Sequence, residues 1–356
     1  GELKLQAPVD ESQRNTVSLD SDVLSTQRWG RVDIATAGHV ELDGTLSLQQ
    51  GGQLALTASR VSFGGTVQIA GGQVEAGNLL PVLGQPTALL SAGRGAVDVA
   101  SGAGFDLAGG WSNPLAVADA GATQAWIDGG QLRINASHDI TVGEGARISV
   151  DAGGSIDAKG KGRVGKGGSV SLLAASTDVA TDGSGRLRIS DGVRFSALGS
   201  GSGAFNLETG GKVVIGGQAP ASDALRLQAP LFSSGFSRYD IGGHNGLTVE
   251  DGVQLNVDQP ALHLADGAQG ASRREQGLQA WTPSLYMADP VSGRISQRAG
   301  ASLTLRAGHL LSTADLRVGK GARIEVDAGL GEDGVQFAGR AQVAIHRKRA
   351  DRHVEA

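Results

Sequence analysis

Apolar and polar residues alternate along most of the chain in short runs that end near glycine. A period of two places successive side chains on opposite sides of a strand, so each run predicts a β-strand with one buried face. Runs of about four to six residues recur every ~8–12 residues, a spacing typical of all-β structure. The alternating apolar pairs include Leu132 and Ile134, Leu187 and Ile189, Leu303 and Leu305, Ile148 and Val150, Val193 and Phe195, and Ile324 and Val326.

The alternating runs belong to a repeated unit. A Gly-Gly-Gln opener occurs at Gly51, Gly71 and Gly129. Residues 142–153 (VGEGARISVDAG) and 318–329 (VGKGARIEVDAG) are identical at ten of twelve positions. The copies recur without one fixed period, as expected when loops of different length interrupt a common unit.

These repeats favour a solenoid over a β-sandwich, because similar units lie far apart in a long chain and carry glycine at similar corners. We predict an all-β fold, a right-handed parallel β-helix with loop insertions, forming a single shaft over residues 1–345. If loops are ignored, coils of ~20 residues rising ~4.8 Å each would give ~15–17 coils and a length of ~75 Å. Residues 346–356 abandon the pattern and are expected to form an irregular tail.

Four segments interrupt the strand pattern, near residues 77–90, 111–127, 218–245 and 266–300, and a short helix is possible within 271–280. Loops that project from a rigid scaffold often carry binding residues. The alternative is that their aromatic side chains anchor each loop on the shaft. The aromatic residues proposed for partner binding are Trp111, Trp126, Phe236, Tyr239, Trp281 and Tyr286.

Composition narrows the class of protein. The chain has 57 glycines but only 9 prolines and no Gly-X-Y period, which excludes collagen, and 40% hydrophobic residues exclude a disordered chain. The formal net charge of −5 argues against a nucleic-acid partner. Cysteine is absent, so disulfides and thiolate chemistry are impossible. The sequence contains no run of 18 apolar residues, so it predicts no membrane-spanning helix.

Motifs for chemistry are weak. Residues 160–165 match GxGxxG and 160–166 match GxxxxGK, but Gly167 replaces the required Ser or Thr and a strand pattern follows instead of a helix. No HExxH, calcium nonapeptide or GxSxG occurs. We therefore predict no catalytic residue, metal or cofactor. A polysaccharide lyase or glycosidase remains the enzyme alternative, because outward carboxylates of neighbouring coils could converge.

The repeats resemble the filamentous haemagglutinin-like exoproteins of Gram-negative bacteria. The resemblance rests on VGEGARISVDAGG (142–154), GGQLALTASRV (51–61), FSSGFSRYDIGGHNGLTVEDGV (232–253) and LQAWTPSLYMADPVSGRISQRAGASLTLRAG (278–308). It extends over roughly residues 1–345 as a style of repeat. Autotransporter passenger domains share this architecture and are the second alternative.

The resemblance implies a secreted protein at the cell surface, exported across the outer membrane by a β-barrel transporter in two-partner secretion. The chain would be an internal fragment of the shaft, with the transporter recognised through a region outside it. Asn113-Pro114-Leu115 matches the family's secretion signature only in part and lies mid-chain. The implied role is adhesion, biofilm formation or contact-dependent interaction, through a receptor or glycan on a host or bacterial cell.

Overall fold

The chain winds into stacked coils, and a typical coil places one strand on each of three faces. The predicted all-β parallel β-helix is confirmed by parallel pairing between successive coils on every face. The computed structural model describes residues 16–27, 29–82, 85–89, 95–116, 126–174, 185–201, 203–217, 223–282, 286–288, 295–297, 300–309, 313–326, 335–338 and 340–342.

Face 1 is one continuous sheet of nine parallel strands. Val32, Leu54 and Val74 begin an inward column that runs through the sheet, while Arg31, Gln53 and Gln73 form the outward column beside it. The alternation seen in the sequence thus becomes stacking of like on like. The strands are Arg31–Ala35, Gln53–Thr57, Gln73–Gly77, Gln131–Ala136, Ser169–Ala174, Gly203–Thr209, Phe236–Gly243, Ser302–Ala307 and Val335–Ala338.

Face 2 is divided between two sheets where one coil contributes two strands. Lys212–Ile215 is followed in the chain by Ala224–Leu227, which steps back to lie between Lys212–Ile215 and Leu187–Ile189. The first sheet contains Thr16–Asp20, His39–Asp43, Arg60–Phe63, Gly95–Val99, Asp139–Val142 and Leu187–Ile189, and the second contains Ala224–Leu227, Lys212–Ile215, Leu247–Val249, Asp315–Val318 and Arg340–Gln342.

Face 3 is also interrupted at this level. The 3₁₀ helix Ala229–Ser233 takes the place of a strand, and it packs against Gln254–Val257 of the next coil. The strands before it are Thr45–Ser47, Thr66–Gln68, Gly104–Asp106, Arg147–Ser149 and Arg194–Ser196, and those after it are Gln254–Val257 and Arg323–Val326.

One continuous core fills the space between the faces. Its first coils are mainly aliphatic, and each fully buried Val, Leu or Ile contributes about 1.5–3 kcal/mol. An aromatic cluster replaces the aliphatic side chains where faces 2 and 3 break. Its rings have centroids 5.1–6.1 Å apart and belong to Phe195, Phe205, Phe232, Phe236 and Tyr239.

Segment 77–90 leaves the stack as an antiparallel hairpin of Leu79–Val82 and Gln85–Ala88. The buried side chain of Asn78 fixes its base, because Nδ2 donates to the Leu89 carbonyl (2.9 Å) and Oδ1 accepts from the Ser137 amide (2.9 Å). A second antiparallel hairpin pairs Tyr286–Ala288 with Ile295–Gln297.

The expected interruption at 218–245 is wrong for most of its length. Residues 223–243 contain Ala224–Leu227 and Phe236–Gly243, which are rungs of faces 2 and 1. Phenylalanine and tyrosine in this segment suggested a loop, but they fill the core. The tail 346–356 lies outside the described residues.

The expected number of coils is also wrong. A spacing near 20 residues holds only for the first face 1 strands, which start at Arg31, Gln53 and Gln73; insertions lengthen the later coils. Nine strands along face 1 give a described stack of ~40 Å at ~4.8 Å per rung, not ~75 Å.

Helical structure in the described residues consists of short pieces. The helix Ser21–Thr26 is capped by Asp20, whose carboxylate accepts from the Asp22 and Val23 amides at 3.0 and 3.1 Å. Besides the 3₁₀ helix Ala229–Ser233 on face 3, the described ranges contain the helix Arg274–Gly277, which lies in the predicted range, and the 3₁₀ helix Ala268–Gly270. Within the described ranges, no helix has the length and apolarity needed to cross a bilayer.

Candidate functional site

Three insertions that are far apart in the sequence meet at one corner of the stack. Each connects a strand of face 3 to the next strand of face 1, so coil winding alone brings them to the corner between faces 3 and 1. Together they form a second, smaller structure, here called the lateral module. Its elements are Trp111–Ser112, Gly154–Ile156, Gly162–Val164, Ala261–Leu264, Ala268–Gly270, Arg274–Gly277 and Leu278–Trp281.

Asn113 joins the first insertion to the third. Its Nδ2 lies 2.9–3.2 Å from the carbonyl oxygens of Ala268, Gln269 and Ala271, and the side chain is 2% exposed. The Oδ1 atom accepts from the Leu115 amide at 3.1 Å. An unpaired buried amide costs about 1–3 kcal/mol, so these bonds fix the position of the third insertion.

Trp111 supports the same junction by packing. Its Nε1 donates to the Ala271 carbonyl at 3.0 Å, and its ring covers Gly277 so closely that a Cβ there would lie 2.1 Å from Cη2. The ring also lies over Gly154, on the strand that pairs with Trp111. Trp111 is half-buried and acts as an anchor for the lateral module.

The second insertion is a hairpin with a basic tip. Gly154–Ile156 and Gly162–Val164 pair antiparallel, and Gln269 of the third insertion donates to the Gly160 carbonyl at 3.2 Å. A hydrogen bond from the Lys161 amide lowers the pKa of the exposed Asp157 carboxyl and closes the turn. The exposed residues of this tip include Lys159, Lys161 and Arg163. The GxGxxG match therefore lies in a hairpin turn.

The proposed aromatic residues separate into different environments. Trp126 and Trp281 are 58% and 38% exposed, and Trp281 contacts the ring of His263 at 5.2 Å within the lateral module. The side chain of Tyr286 lies outside the described part of the structure.

Phe236 and Tyr239 are core residues, contrary to the expectation that they lie on a binding loop. Their exposed fractions are 0% and 1%, and both rings contact Phe205. Burial raises the pKa of the Tyr239 hydroxyl to about 12, and the hydroxyl donates to the Leu231 carbonyl at 3.1 Å. Their side chains cannot contact a partner while the coil is folded.

A charged cluster occupies the outward side of face 1 near its later coils. Arg306 Nε lies 2.7 Å from Asp240 Oδ1, and its Nη2 lies 3.5 Å from Glu208 Oε2. Glu208 Oε1 is also 2.7 Å from His244 Nε2, and the rings of His244 and His309 contact each other at a tilt of 49°, with centroids 4.6 Å apart. The hydrogen bond from His244 outweighs burial and lowers the pKa of the Glu208 carboxyl.

Sequence reasoning missed both the lateral module and the charged cluster. Asn113 and Ala271 are separated by 158 residues, and nothing in their local sequences links them. Glu208 and Arg306 are aligned across face 1 because each pairs in register with Gly242, which lies on the strand between them. Among the described side chains, no group of three or more His, Asp or Glu is arranged to hold a metal ion.

Comparison with protein-family models, with curated proteins and with solved structures finds no match to this chain.

Proposed function

We propose that the chain is a shaft segment of a large secreted bacterial surface protein of the filamentous haemagglutinin-like type, serving attachment and not catalysis. The observation that carries this proposal is the unbroken nine-strand face 1, with three insertions gathered at a single corner. A stack of this kind extends by adding coils, since each coil contacts only its neighbours. It is suited to hold binding surfaces away from a cell.

The surface chemistry supports attachment. The lateral module presents Leu115, which is 51% exposed and lies near Gly160 of the basic hairpin tip, and Trp281, which is 38% exposed and pairs with Ala261. Exposed apolar groups rimmed by polar residues are typical of contact surfaces. The absence of cysteine also suits export of an unfolded chain, because no disulfide can form before it crosses the outer membrane.

Adhesion can be tested with beads coated with the purified chain and incubated with cultured epithelial cells or Gram-negative bacteria. We expect several-fold more bound beads than with an albumin coat. Asn113→Ala should reduce binding by releasing the lateral module, while Asn256→Ala, at an exposed position on face 3, should not. Equal binding by protein-coated and albumin-coated beads would refute the proposal.

One observation favours the lyase or glycosidase alternative. Glu208, Asp240 and Arg306 lie on successive strands of face 1, the arrangement that β-helical polysaccharide chemistry requires. Here the three groups bind one another, with His244 as a further partner of Glu208. Ultraviolet absorbance of unsaturated products from polygalacturonate, lost in Glu208→Gln, would support the enzyme over the shaft.

A further inference from the structure

The two lower Gly-Gly-Gln openers form a flat floor beneath Trp126. Gly51 and Gly71 have backbone φ values of +68° and +62°, which residues other than glycine rarely adopt. A Cβ on Gly51 would lie 2.4 Å from Trp126 Cε2, and one on Gly71 would lie 2.9 Å from Trp126 Cβ. The indole therefore lies directly against the backbone of Gly51, and the Cβ and backbone of Trp126 lie against Gly71 in the next coil.

The backbone at Trp126 is held in place by the stack. Its carbonyl accepts from the Gly110 amide at 2.7 Å, and the next carbonyl, of Ile127, accepts from the Gly153 amide at 2.7 Å. One side of Trp126 thus contacts glycine while 58% of the residue stays exposed. A side chain used only to anchor its segment would be expected to bury its ring, as Trp111 does over Gly277.

Trp29 lies at the same corner one coil below Gly51. The carbonyl of Gly30 accepts from the Gln53 amide at 3.0 Å, and the carbonyl of Trp29 accepts from the Gln49 amide at 3.2 Å. These two bonds fix the backbone of Trp29 in the coil below Gly51. Trp29 is 49% exposed. The backbone of Trp29 is therefore about one rung, or ~5 Å, below Gly51 and about two rungs, or ~10 Å, below Gly71, the two glycines that Trp126 contacts.

A ladder of polar side chains borders this edge on face 1. Arg31 Nη1 donates to Gln53 Oε1 at 3.1 Å, and Gln53 Nε2 donates to Gln73 Oε1 at 3.3 Å. The amides of Gln53 and Gln73 supply hydrogen-bond donors and acceptors along this border. Arg31 is paired with Asp33 at 2.6 Å, so the charges of the border are balanced. We call Trp29, Trp126, Gly51, Gly71 and this ladder the indole corner.

We propose that the indole corner binds a neutral, extended, β-linked oligosaccharide. A β-linked pyranose presents a flat face of C–H groups, which contacts the electron-rich face of an indole, and hydroxyl groups at its rim, which exchange hydrogen bonds with amides. Successive sugar rings of an extended chain follow a line, as do Trp29 and Trp126. The charge balance of Arg31 and Asp33 favours a neutral sugar over an acidic one.

This proposal rests on the proposed attachment function and deepens it by naming a ligand class and a site at the same corner as the lateral module, beside the first coils of face 1. The probes are chitohexaose and cellohexaose, titrated into the purified full chain by calorimetry. We expect at least one to bind, with affinity reduced tenfold or more by Trp126→Ala and several-fold by Trp29→Ala. Trp281→Ala, an exposed indole in the lateral module, is the matched control and should bind as the unchanged chain does.

Circular dichroism and thermal unfolding establish that each variant folds, and Trp29→Ala provides a second test if Trp126→Ala does not. The proposal would be overturned if neither hexasaccharide bound the unchanged chain. It would also be overturned if the folded Trp29→Ala and Trp126→Ala variants bound with the same affinity as the unchanged chain. A shift in sedimentation on Trp126→Ala without a change in sugar affinity would identify a self-association surface instead. Cell adhesion that persists in Trp126→Ala would remove the indole corner's part in attachment while leaving the shaft proposal intact.

Discussion

The coil stack and the lateral module are stabilised in opposite ways. In the stack, every coil repeats the same alternation, so Leu132 finds Val74 below and Val170 above. In the lateral module, a few specific bonds, centred on Asn113 and Trp111, join segments that are about 155–160 residues apart. Stability in the stack is shared among many equivalent contacts, whereas the lateral module depends on single residues.

The two regions should therefore tolerate substitutions differently. A defect in the stack affects the coils on both sides, because each strand contributes hydrogen bonds in two directions. A defect in the lateral module should release only that structure, since face 1 continues without it.

The largest expected effect belongs to the aromatic part of the stack. Phe205→Ala removes a 0% exposed ring that contacts Phe195, Phe236 and Tyr239, and should lower the free energy of unfolding by about 3–5 kcal/mol. The measurement is the urea midpoint by circular dichroism. Phe205→Leu, which retains more of the volume, should lose less. A loss below about 1 kcal/mol for Phe205→Ala would contradict a shared core at this level.

A smaller and local effect is expected in the lateral module. Asn113→Ala leaves the carbonyls of Ala268, Gln269 and Ala271 without their common donor, which should cost about 1–3 kcal/mol. Hydrogen exchange should increase in residues 261–282 but not in face 1. Asn256→Ala is the control, because its side chain is exposed. Increased exchange across the whole stack would show that the two regions are not independent.

The pH dependence of stability should reveal the charged cluster. His244 lowers the folded-state pKa of Glu208, so the ionised carboxylate stabilises the fold above the unfolded value of about 4.5. That contribution should disappear as pH falls through the lower folded value. Thermal unfolding from neutral to acid pH should show a shallower slope in Glu208→Gln. Parallel profiles for both proteins would refute the assignment.

The smallest effect is expected at a surface ion pair. Arg317 and Asp251 are 3.1 Å apart, with side chains 66% and 61% exposed, so Arg317→Ala should change the free energy of unfolding by less than about 1 kcal/mol. Chemical denaturation in low and high salt measures this difference. A loss above 2 kcal/mol would mean that the outward surface contributes far more than the core comparison implies.

The alternation of apolar residues predicted strands, because side-chain period two is a local property, and the separated repeats with glycine at similar corners predicted the solenoid over a β-sandwich. The same reasoning failed at Phe236 and Tyr239, which were placed in a segment that interrupts the strand pattern. Burial of those rings depends on Phe195 and Phe205 in earlier coils. No local pattern encodes that contact.

The surface sites were predictable only in part. Trp126 and Trp281 were singled out from their positions in insertions, and both are exposed. Trp29 was not singled out, because its position relative to Trp126 depends on the register between separate coils. The bonds of Asn113 likewise depend on three insertions that reach one corner through winding, a property of topology and not of motif.

The central claim, that successive windings stack in register, can be tested by engineered disulfides, since the natural chain has no cysteine. Ser171 and Asn206 are register partners on neighbouring strands, whereas Ser169 and Asn206 are two residues out of register. Cα atoms of partners on adjacent strands lie ~5 Å apart, within disulfide range, and diagonal positions lie ~7–8 Å apart. Under mild oxidation, Ser171→Cys with Asn206→Cys should cross-link within one molecule and Ser169→Cys with Asn206→Cys should not. Efficient cross-linking of only the second pair, or of neither, would contradict the stacked helix.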